Sequence, residues 1–399
     1  MTPDIREPEF CPRKACKYYE RENVENEDWY CRYGTHYSKS RGRIQRFKCR
    51  NCGKTFSTQT FSIHYWTHIT IDFESFAGKL YSCSGLLQLS RTEGYTYRVV
   101  QNRIRRLARN SLAALNSFYR THTLQEDLVM DGFESFTRSQ YFPNNITIIV
   151  GKKSQFIFAA IQTLIKRKGR MTEQQKIFRD FIYEHWEPPR SIQDDVRVIL
   201  ADCLPMMQKC MANQTLKLIS DKHSSYPPAI NKIKELKDAK HKGTFRHVRI
   251  KARKKRTKEY NPLFAVDYVD RQIRNNMAEH VRETIRQGRE VNCQMERAAI
   301  FAAMHNFNTP HRIRHKAHPE NEITHRNIAR VNPPKLDWYL KRIFTHRHLM
   351  GHLSEPVQWI KQVWQFQYEN PPGFNFVKMV VSNKVMALQP GNLAGHFLA

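Results

Sequence analysis

Two stretches in the middle of the chain, DLVMDGFESF (residues 127–136) and ITIIVGKKSQFIFAAIQ (residues 146–162), decide the fold class. The first predicts a strand with a buried centre, and the second predicts a hairpin that turns near Gly151 and Lys152. Apolar residues at helical spacing then predict helices at about 173–186 and 191–212. LKLISD (residues 216–221) is a short apolar segment that predicts a strand ending in a carboxylate. Together these segments predict an α+β protein.

Three strands in a meander, then helices, then a strand with an acid at its tip match a ribonuclease H-like mixed sheet. In such a sheet a strand-borne Asp131, a strand-end Asp221 and a helix-borne Glu279 are expected to converge at one edge. Mg²⁺ (or Mn²⁺) takes hard oxygen ligands, and two ions about 4 Å apart can hold a phosphoryl group during in-line transfer. The acids therefore predict a catalytic two-metal site. Glu283, one helical turn from Glu279, is the alternative third ligand.

The N-terminal cysteines predict a structural zinc site. QRFKCRNCGKTFS (residues 45–57) contains a C-x-x-C pair, and a wider pair precedes it. Thiolates at such spacing can reach one zinc ion from a tight turn, and two such turns complete a tetrahedral site. Cys31, His36 and His64 are possible substitutes in the first pair. The predicted zinc ligands are Cys11, Cys16, Cys49 and Cys52.

The segment SGLLQLSRTEGYTYRVVQNRIRRLARN (residues 84–110) predicts two helices with a turn at Gly94. The second helix has an apolar stripe and a basic outer face, which is the pattern of a helix-turn-helix that enters the major groove of DNA. The arginines predicted to contact DNA are Arg98, Arg103, Arg105, Arg106 and Arg109.

The charge of the chain indicates a polyanionic partner. Lysine and arginine total 66 against 37 acidic residues, a formal charge of +29. A compact fold with this excess repels itself, so DNA or RNA is the expected partner, and binding should weaken with salt. With the helix-turn-helix pattern, double-stranded DNA is the partner that we predict. Residues 232–258 form a basic segment that predicts a track for the DNA backbone. The remaining predicted contacts are Lys251, Arg253, Lys254, Lys255 and Arg256 in that segment, and Arg282 and Arg286 after Glu279.

Four regions are expected along the chain: a zinc ribbon (1–65), a helix-turn-helix domain (66–120), a ribonuclease H-like catalytic domain with the basic insert 232–258 (121–308), and a basic helical C-terminal region of unknown role (309–399). The N-terminus lacks the pattern of a secretory signal, and no apolar run approaches the ~18 residues that a membrane helix needs. We expect a cytoplasmic, nucleoid-associated protein with no membrane partner.

The order of ribbon, helix pair and acids in VMDGF, LISDKHSSY and NNMAEH resembles the DDE transposases of bacterial insertion sequences. The resemblance covers roughly residues 10–305, and residues 42–52 are similar to the zinc ribbon of that group's short members. It implies that Asp131, Asp221 and Glu279 bind two metal ions. It also implies binding to the terminal inverted repeats of an element, cleavage at its ends, joining of 3′-hydroxyls to target DNA, and a homo-oligomer on DNA.

Two departures and two alternatives accompany this resemblance. The first cysteine pair is wider than usual, and neither residues 232–258 nor the C-terminal region has a counterpart in the family. A catalytically inactive, transposase-derived DNA-binding regulator is the main alternative. Three clustered carboxylates argue against it, because they repel one another and a regulator has no use for them. A structural or RNA-binding protein without chemistry is the second alternative.

Overall fold

The protein is a mixed α+β structure with a large and a small sheet. The computed structural model describes residues 8–19, 28–251, 260–281, 284, 286–313, 318–347 and 355–373. The small antiparallel sheet has the order β1-β2-β3 and consists of β1 (Tyr30–Ser38), β2 (Gly42–Cys49) and β3 (Thr55–Ser57). The large sheet consists of β4 (Leu128–Thr137), β5 (Ser139–Gly151), β6 (Ile157–Leu164), β7 (Leu216–Asp221) and β8 (Phe245–Ile250).

The large sheet has five strands in the order β6-β5-β4-β7-β8. Its first three strands pair antiparallel as a meander, while β4–β7 and β7–β8 pair in parallel. Every residue of β6 is buried, because the strand's IFAAIQTL sequence is covered on both faces. The predicted meander and the predicted strand at residues 216–221 are confirmed.

Three helices lie between the two sheets in the sequence: α1 (Phe73–Tyr81), α2 (Leu86–Glu93) and α3 (Tyr97–Asn116). Gly94 ends α2 with a φ of 68°, a left-handed conformation that glycine adopts without steric cost. Thr96 caps α3 by accepting a hydrogen bond from the Val99 N–H. The predicted helix–glycine–helix arrangement is therefore present.

The other helices surround the large sheet. They are α4 (Glu173–His185), α5 (Ile192–Met211), α6 (Tyr226–Asn231), α7 (Lys234–His241), α8 (Phe264–Asn276), α9 (Val291–Phe307), α10 (His325–Ala329), α11 (Leu336–Arg342) and α12 (Gln358–Trp364). The helices predicted at about 173–186 and 191–212 are confirmed as α4 and α5. Among the described residues, no helix has the combination of length and hydropathy needed to cross a bilayer.

The position predicted for the helix that carries Glu279 is wrong. We predicted a helix at about 270–287, but α8 begins at Phe264 and ends at Asn276. Two consecutive asparagines, which are weak helix formers, stand at its end, and Met277 adopts an extended conformation. Residues Ala278–His280 then form a short 3-10 turn, so Glu279 is not on the helix.

The chain beyond residue 309 packs against both earlier parts of the molecule. Described residues from Ala329 to Tyr368 share one hydrophobic core with the large sheet and with the last turns of α3. A second segment, residues 342–347, contacts the small-sheet region: the Ile63 N–H donates to the Thr345 carbonyl at 3.0 Å, and the Arg347 N–H donates to the Phe61 carbonyl at 2.6 Å. The described part of the C-terminal region thus contacts both the core of the large sheet and the small-sheet region.

Candidate functional site

Four cysteines near the N-terminus form a cluster that could hold a metal ion. The sulfur atoms of Cys11, Cys16, Cys49 and Cys52 all lie within 4.8 Å of one another. The Cys11–Cys52 pair is 3.6 Å apart and the Cys16–Cys49 pair is 3.7 Å apart. Tetrahedral zinc with Zn–S bonds of about 2.3 Å requires sulfur–sulfur distances of about 3.8 Å, so the spacing fits that ion.

Local structure places these four sulfurs. Cys49 ends β2, and the Gly53 N–H donates to the Cys49 carbonyl, which closes the tight turn that carries Cys52. The Cys11 N–H donates to the Tyr18 carbonyl at 2.8 Å and so folds the first pair into a second turn. Burial raises the pKa of Cys52, but the Lys54 N–H and the neighbouring thiols outweigh it, and that pKa falls to about 7. A thiol of this kind is readily deprotonated to bind metal.

The alternative zinc ligands lie elsewhere. Cys31 is outside the cluster, and its thiol donates to the Lys48 carbonyl at 3.8 Å. His36 is exposed on β1. His64 is buried beside the Phe73 ring, and burial together with Arg41 lowers its pKa to about 4. Among the described residues the four predicted cysteines are the ones brought together.

Two of the predicted acids stand side by side in the large sheet. In the parallel β4–β7 pair Met130 is opposite Ser220, so the next residues, Asp131 and Asp221, are level with each other. Neighbouring strands are about 4.8 Å apart, and level residues of parallel strands point to the same face. The Asp221 carboxylate accepts from the His223 N–H at 2.9 Å, and the Asp131 carboxylate accepts from the Gly132 N–H at 2.8 Å.

A third carboxyl group, which the sequence analysis missed, joins this pair. Asp270 lies on α8, and burial together with the charges of Asp131 and Asp267 raises its pKa to about 8. The Oδ1 atom of Asp270 is shielded from solvent and has no hydrogen-bond partner among the described residues. Burial and the charges of Asp131, Asp221 and Asp270 raise the pKa of Tyr226, so all three acids lie close enough to act on one tyrosine hydroxyl, although their oxygen atoms are not all within 4.8 Å of one another. We refer to Asp131, Asp221 and Asp270 as the acid cluster.

The predicted third ligand, Glu279, lies in a different place. Its neighbour His280 contacts Ser135, whose hydroxyl is 3.0 Å from the His280 ring nitrogen. Ser135 is four residues beyond Asp131, about 13 Å further along β4. The Glu279 carboxylate is buried and forms a 3.0 Å ion pair with Arg297 on α9. The structure therefore brings together two of the three predicted acids and places Glu279 in a separate ion pair. Glu283 is outside the described residues.

Two of the five arginines predicted on the outer face of α3 have structural roles instead. Arg103 is buried and donates to the Ile69 carbonyl at 2.5 Å, and Arg106 donates to the Ile63 carbonyl at 2.7 Å. Arg105 lies 5.2 Å from the centre of the Phe366 ring, and Arg109 lies 5.8 Å from that of Trp364. The assumption of an open outer face was wrong for Arg103 and Arg106, because carbonyl groups of residues 63–69 hold their guanidinium groups. The Arg105 side chain is 40% exposed, and Arg109 is exposed. Arg98, near the start of α3, is exposed.

The other predicted DNA contacts are only partly described. Lys251 follows β8 and is exposed. Arg286 is exposed too, and it donates to the Cys83 carbonyl at 3.2 Å. The predicted contacts that lie outside the described residues are Arg253, Lys254, Lys255, Arg256 and Arg282.

A sequence signal for Asp270 was present. Val266, Val269 and Ile273 are buried at helical spacing, and Asp270 falls on the edge of the stripe that they form. The stripe was missed because the predicted helix began at residue 270.

No protein-family model and no curated protein matches the chain significantly.

Proposed function

We propose that the protein is a DNA transposase of the DDE type, which cleaves and joins DNA strands at a ribonuclease H-like domain. The observation that carries the proposal is the acid cluster: two level aspartates on the parallel strands β4 and β7, and a third on the helix packed over them. The strand order β6-β5-β4-β7-β8 supports a ribonuclease H-like domain, because the central strand and its parallel neighbour then carry the acids. The excess of basic residues, 66 against 37 acidic ones, supports a DNA substrate.

Asp131, Asp221 and Asp270 are the residues that would hold catalytic Mg²⁺ or Mn²⁺. The donor set fits, because these ions prefer carboxylate oxygens and complete their coordination with water and phosphate oxygens. The shielded Oδ1 atom of Asp270, which has no hydrogen-bond partner among the described residues, also fits a cation that faces it. When bound, two such ions generate the nucleophile and stabilise the leaving oxygen of an in-line phosphoryl transfer. Asp270 takes the place that we predicted for Glu279.

The chain's own groups prepare this site. Hydrogen bonds from the Gly132 and His223 N–H groups fix the orientation of Asp131 and Asp221. Tyr226, at the start of α6, is buried, and its hydroxyl is protonated at neutral pH, since burial and the three acids raise its pKa above the ordinary value of 10. That hydroxyl can donate to an oxygen within the acid cluster. The Glu279–Arg297 pair joins the 3-10 turn after α8 to α9, and so supports the helix that carries Asp270.

The DNA-binding part of the proposal uses the N-terminal half of the chain. We propose that the four-cysteine cluster is a structural zinc ribbon, since all four coordination positions are then filled by protein. We further propose that α2 and α3 form a helix-turn-helix whose DNA contacts are Arg98, Arg105 and Arg109 rather than the whole basic face. Binding to element ends, a cytoplasmic, nucleoid-associated location and assembly into an oligomer remain parts of this proposal.

The decisive experiment is cleavage of DNA that carries the element's own ends, with Mg²⁺ or Mn²⁺, by the full chain and by Asp221→Asn. We expect metal-dependent nicking that the variant loses while it still binds the DNA. Tight, end-specific binding by both proteins without cleavage in either metal would instead identify a DNA-binding regulator. Sequence-blind binding without cleavage would indicate the structural or RNA-binding alternative.

A further inference from the structure

A basic cleft lies between the small sheet and the end of the 342–347 segment. It has a volume of about 400 Å³, and its lining includes Arg46, Lys54, His36 and Arg347. Arg46 lies on β2 and Lys54 on the turn before β3, whereas Arg347 arrives from almost 300 residues later in the chain. We call this concavity the ribbon cleft.

Backbone contacts hold Arg347 at the ribbon cleft. Its N–H donates to the Phe61 carbonyl, and residues Ser62 and His346 form an antiparallel bridge. The guanidinium of Arg347 lies 4.5 Å from the centre of the Tyr65 ring, which fixes the direction of the side chain. These backbone and ring contacts therefore position this cation before any ligand arrives.

Among the described residues, the lining of the cleft carries positive charge only. None of the described residues that line it is acidic, and neither Arg46 nor Lys54 forms a salt bridge with a described acid. More guanidinium groups stand close behind it: burial and the charges of Arg103 and Arg347 lower the pKa of Arg106 to about 10. Like charges held this close repel one another, so an anionic ligand would stabilise the arrangement.

The shape of the cleft favours phosphate groups over bases. Two aromatic side chains are among its described lining residues, Phe56 and Tyr65. Phe56 is buried, and the Arg347 guanidinium lies over the Tyr65 ring. Phe56 therefore offers no face for an unpaired base, and Arg347 already occupies one face of Tyr65, so the cleft provides little of the stacking surface that single-stranded ligands require.

We propose that the ribbon cleft binds the sugar-phosphate backbone of double-stranded DNA, and that Arg347 makes the C-terminal region part of the DNA-binding surface. The choice of DNA as the ligand rests on the proposed function, whereas the existence of the cleft does not. Contacts of this kind position a duplex without specifying its sequence.

The test is the salt dependence of binding to a duplex of arbitrary sequence, measured without divalent metal by fluorescence anisotropy. The protein is the full chain, alone and with Arg347→Ala, Arg46→Ala or Lys54→Ala. Each lost phosphate contact lowers the slope of log affinity against log salt by about 0.9. Lys176→Ala is the matched control, since it removes one exposed positive charge from α4, far along the chain from the ribbon.

We expect each cleft variant to lower the slope by about 0.9 and the control to leave it unchanged. Slopes equal to that of the control in all three cleft variants would overturn the proposal. Lys54 is exposed, and Arg46 contacts only the exposed Tyr33 ring among the described aromatic side chains, so these two variants remain informative if Arg347→Ala is unstable. A larger effect on single-stranded DNA or on RNA than on duplex DNA would also refute it.

Failure here is distinguishable from failure of the proposed function. The measurement contains no divalent metal, so strand cleavage does not enter it. If no cleavage is seen but the salt-dependence slopes fall, the proposal for the ribbon cleft is supported and the proposal of transposase activity is refuted. If cleavage requires Asp221 but the slopes do not change, the converse holds.

Discussion

Replacing Asp270 and Glu279 one at a time separates the metal-binding acid from the structural one. The two residues are nine positions apart, and from sequence either could complete a triad with Asp131 and Asp221. Asp270→Asn and Glu279→Gln each replace a carboxyl group by an amide of almost the same shape. The structure predicts opposite consequences for these variants.

For metal binding, only Asp270→Asn should matter. Mg²⁺ needs its oxygen ligands at about 2.1 Å, and Glu279 is held by Arg297 at the level of Ser135, about 13 Å along the strand from Asp131. Loss of a direct ligand should exceed the roughly 10- to 100-fold effect typical of residues behind the ligands. We therefore expect a loss of Mn²⁺ affinity of at least about 100-fold for Asp270→Asn and a change below about 3-fold for Glu279→Gln.

For stability, the order is reversed. Side chains of Glu279 and Arg297 are 4% and 7% exposed, so the Glu279→Gln substitution would leave a buried guanidinium without its charged partner. Breaking such a pair costs about 3–5 kcal/mol. Asp270 has a pKa raised to about 8 and is neutral at pH 7 in the metal-free protein, so an uncharged asparagine costs little there.

The assays are Mn²⁺ titration by calorimetry and thermal melting without divalent metal at pH 7. We expect Asp270→Asn to lose metal binding at an equal or higher melting temperature, because the raised pKa of Asp270 costs stability at pH 7 that asparagine does not cost. We expect Glu279→Gln to melt several degrees lower with metal binding intact. The double variant Glu279→Leu with Arg297→Met should recover much of the lost stability. Full Mn²⁺ affinity in Asp270→Asn would refute the assignment of the acid cluster, as would loss of that affinity in Glu279→Gln.

Three further predictions concern other parts of the molecule. Cys49→Ser should lower the zinc content from one ion per chain to none and destabilise the small sheet, as measured by atomic absorption and melting; an unchanged zinc content would contradict the cluster. Burial and His325 lower the pKa of His305 from 6.5 to about 3, so the free energy of unfolding should fall as the pH drops from 6.5 towards 3. In chemical denaturation His305→Gln should make this fall less steep by up to about 1.4 kcal/mol per pH unit. An equally steep fall in the variant would contradict the prediction. Arg106→Ala should lower stability by about 1.5–3 kcal/mol because the Ile63 carbonyl loses a charged donor, whereas Arg98→Ala should leave stability unchanged and weaken DNA binding; equal melting temperatures for the two variants would argue against the difference in their roles.

Sequence periodicity was sufficient for the strands and for most helices. The meander, α4 and α5, and the strand that ends at Asp221 follow from local patterns, because alternation and helical spacing record which side of an element is buried. The cysteine cluster was also predictable, since tight turns fix the spacing of its ligands. These are features in which the deciding contacts lie close together in the chain.

The errors arose where distant segments decide the outcome. Arg103 and Arg106 were assigned to an open surface, yet their partners, the Ile69 and Ile63 carbonyls, come from an earlier loop 34 and 43 residues away. Glu279 was chosen by its position in the order of elements, although the partner that removes it from the acid cluster, Arg297, is on the next helix. No local pattern records such pairings, because they depend on how elements pack in three dimensions.

The docking of residues 342–347 onto the small sheet has a consequence for the order of events during synthesis. Because the Ser62–His346 bridge spans more than 280 residues, the loop that it closes is one of the longest in the molecule. The ribosome releases the small-sheet residues early, but the surface that Arg347 completes forms only after most of the chain has emerged. A nascent chain therefore holds the four clustered cysteines long before it presents a finished cleft, so a cleft that binds DNA as proposed would not capture it before most of the chain is made.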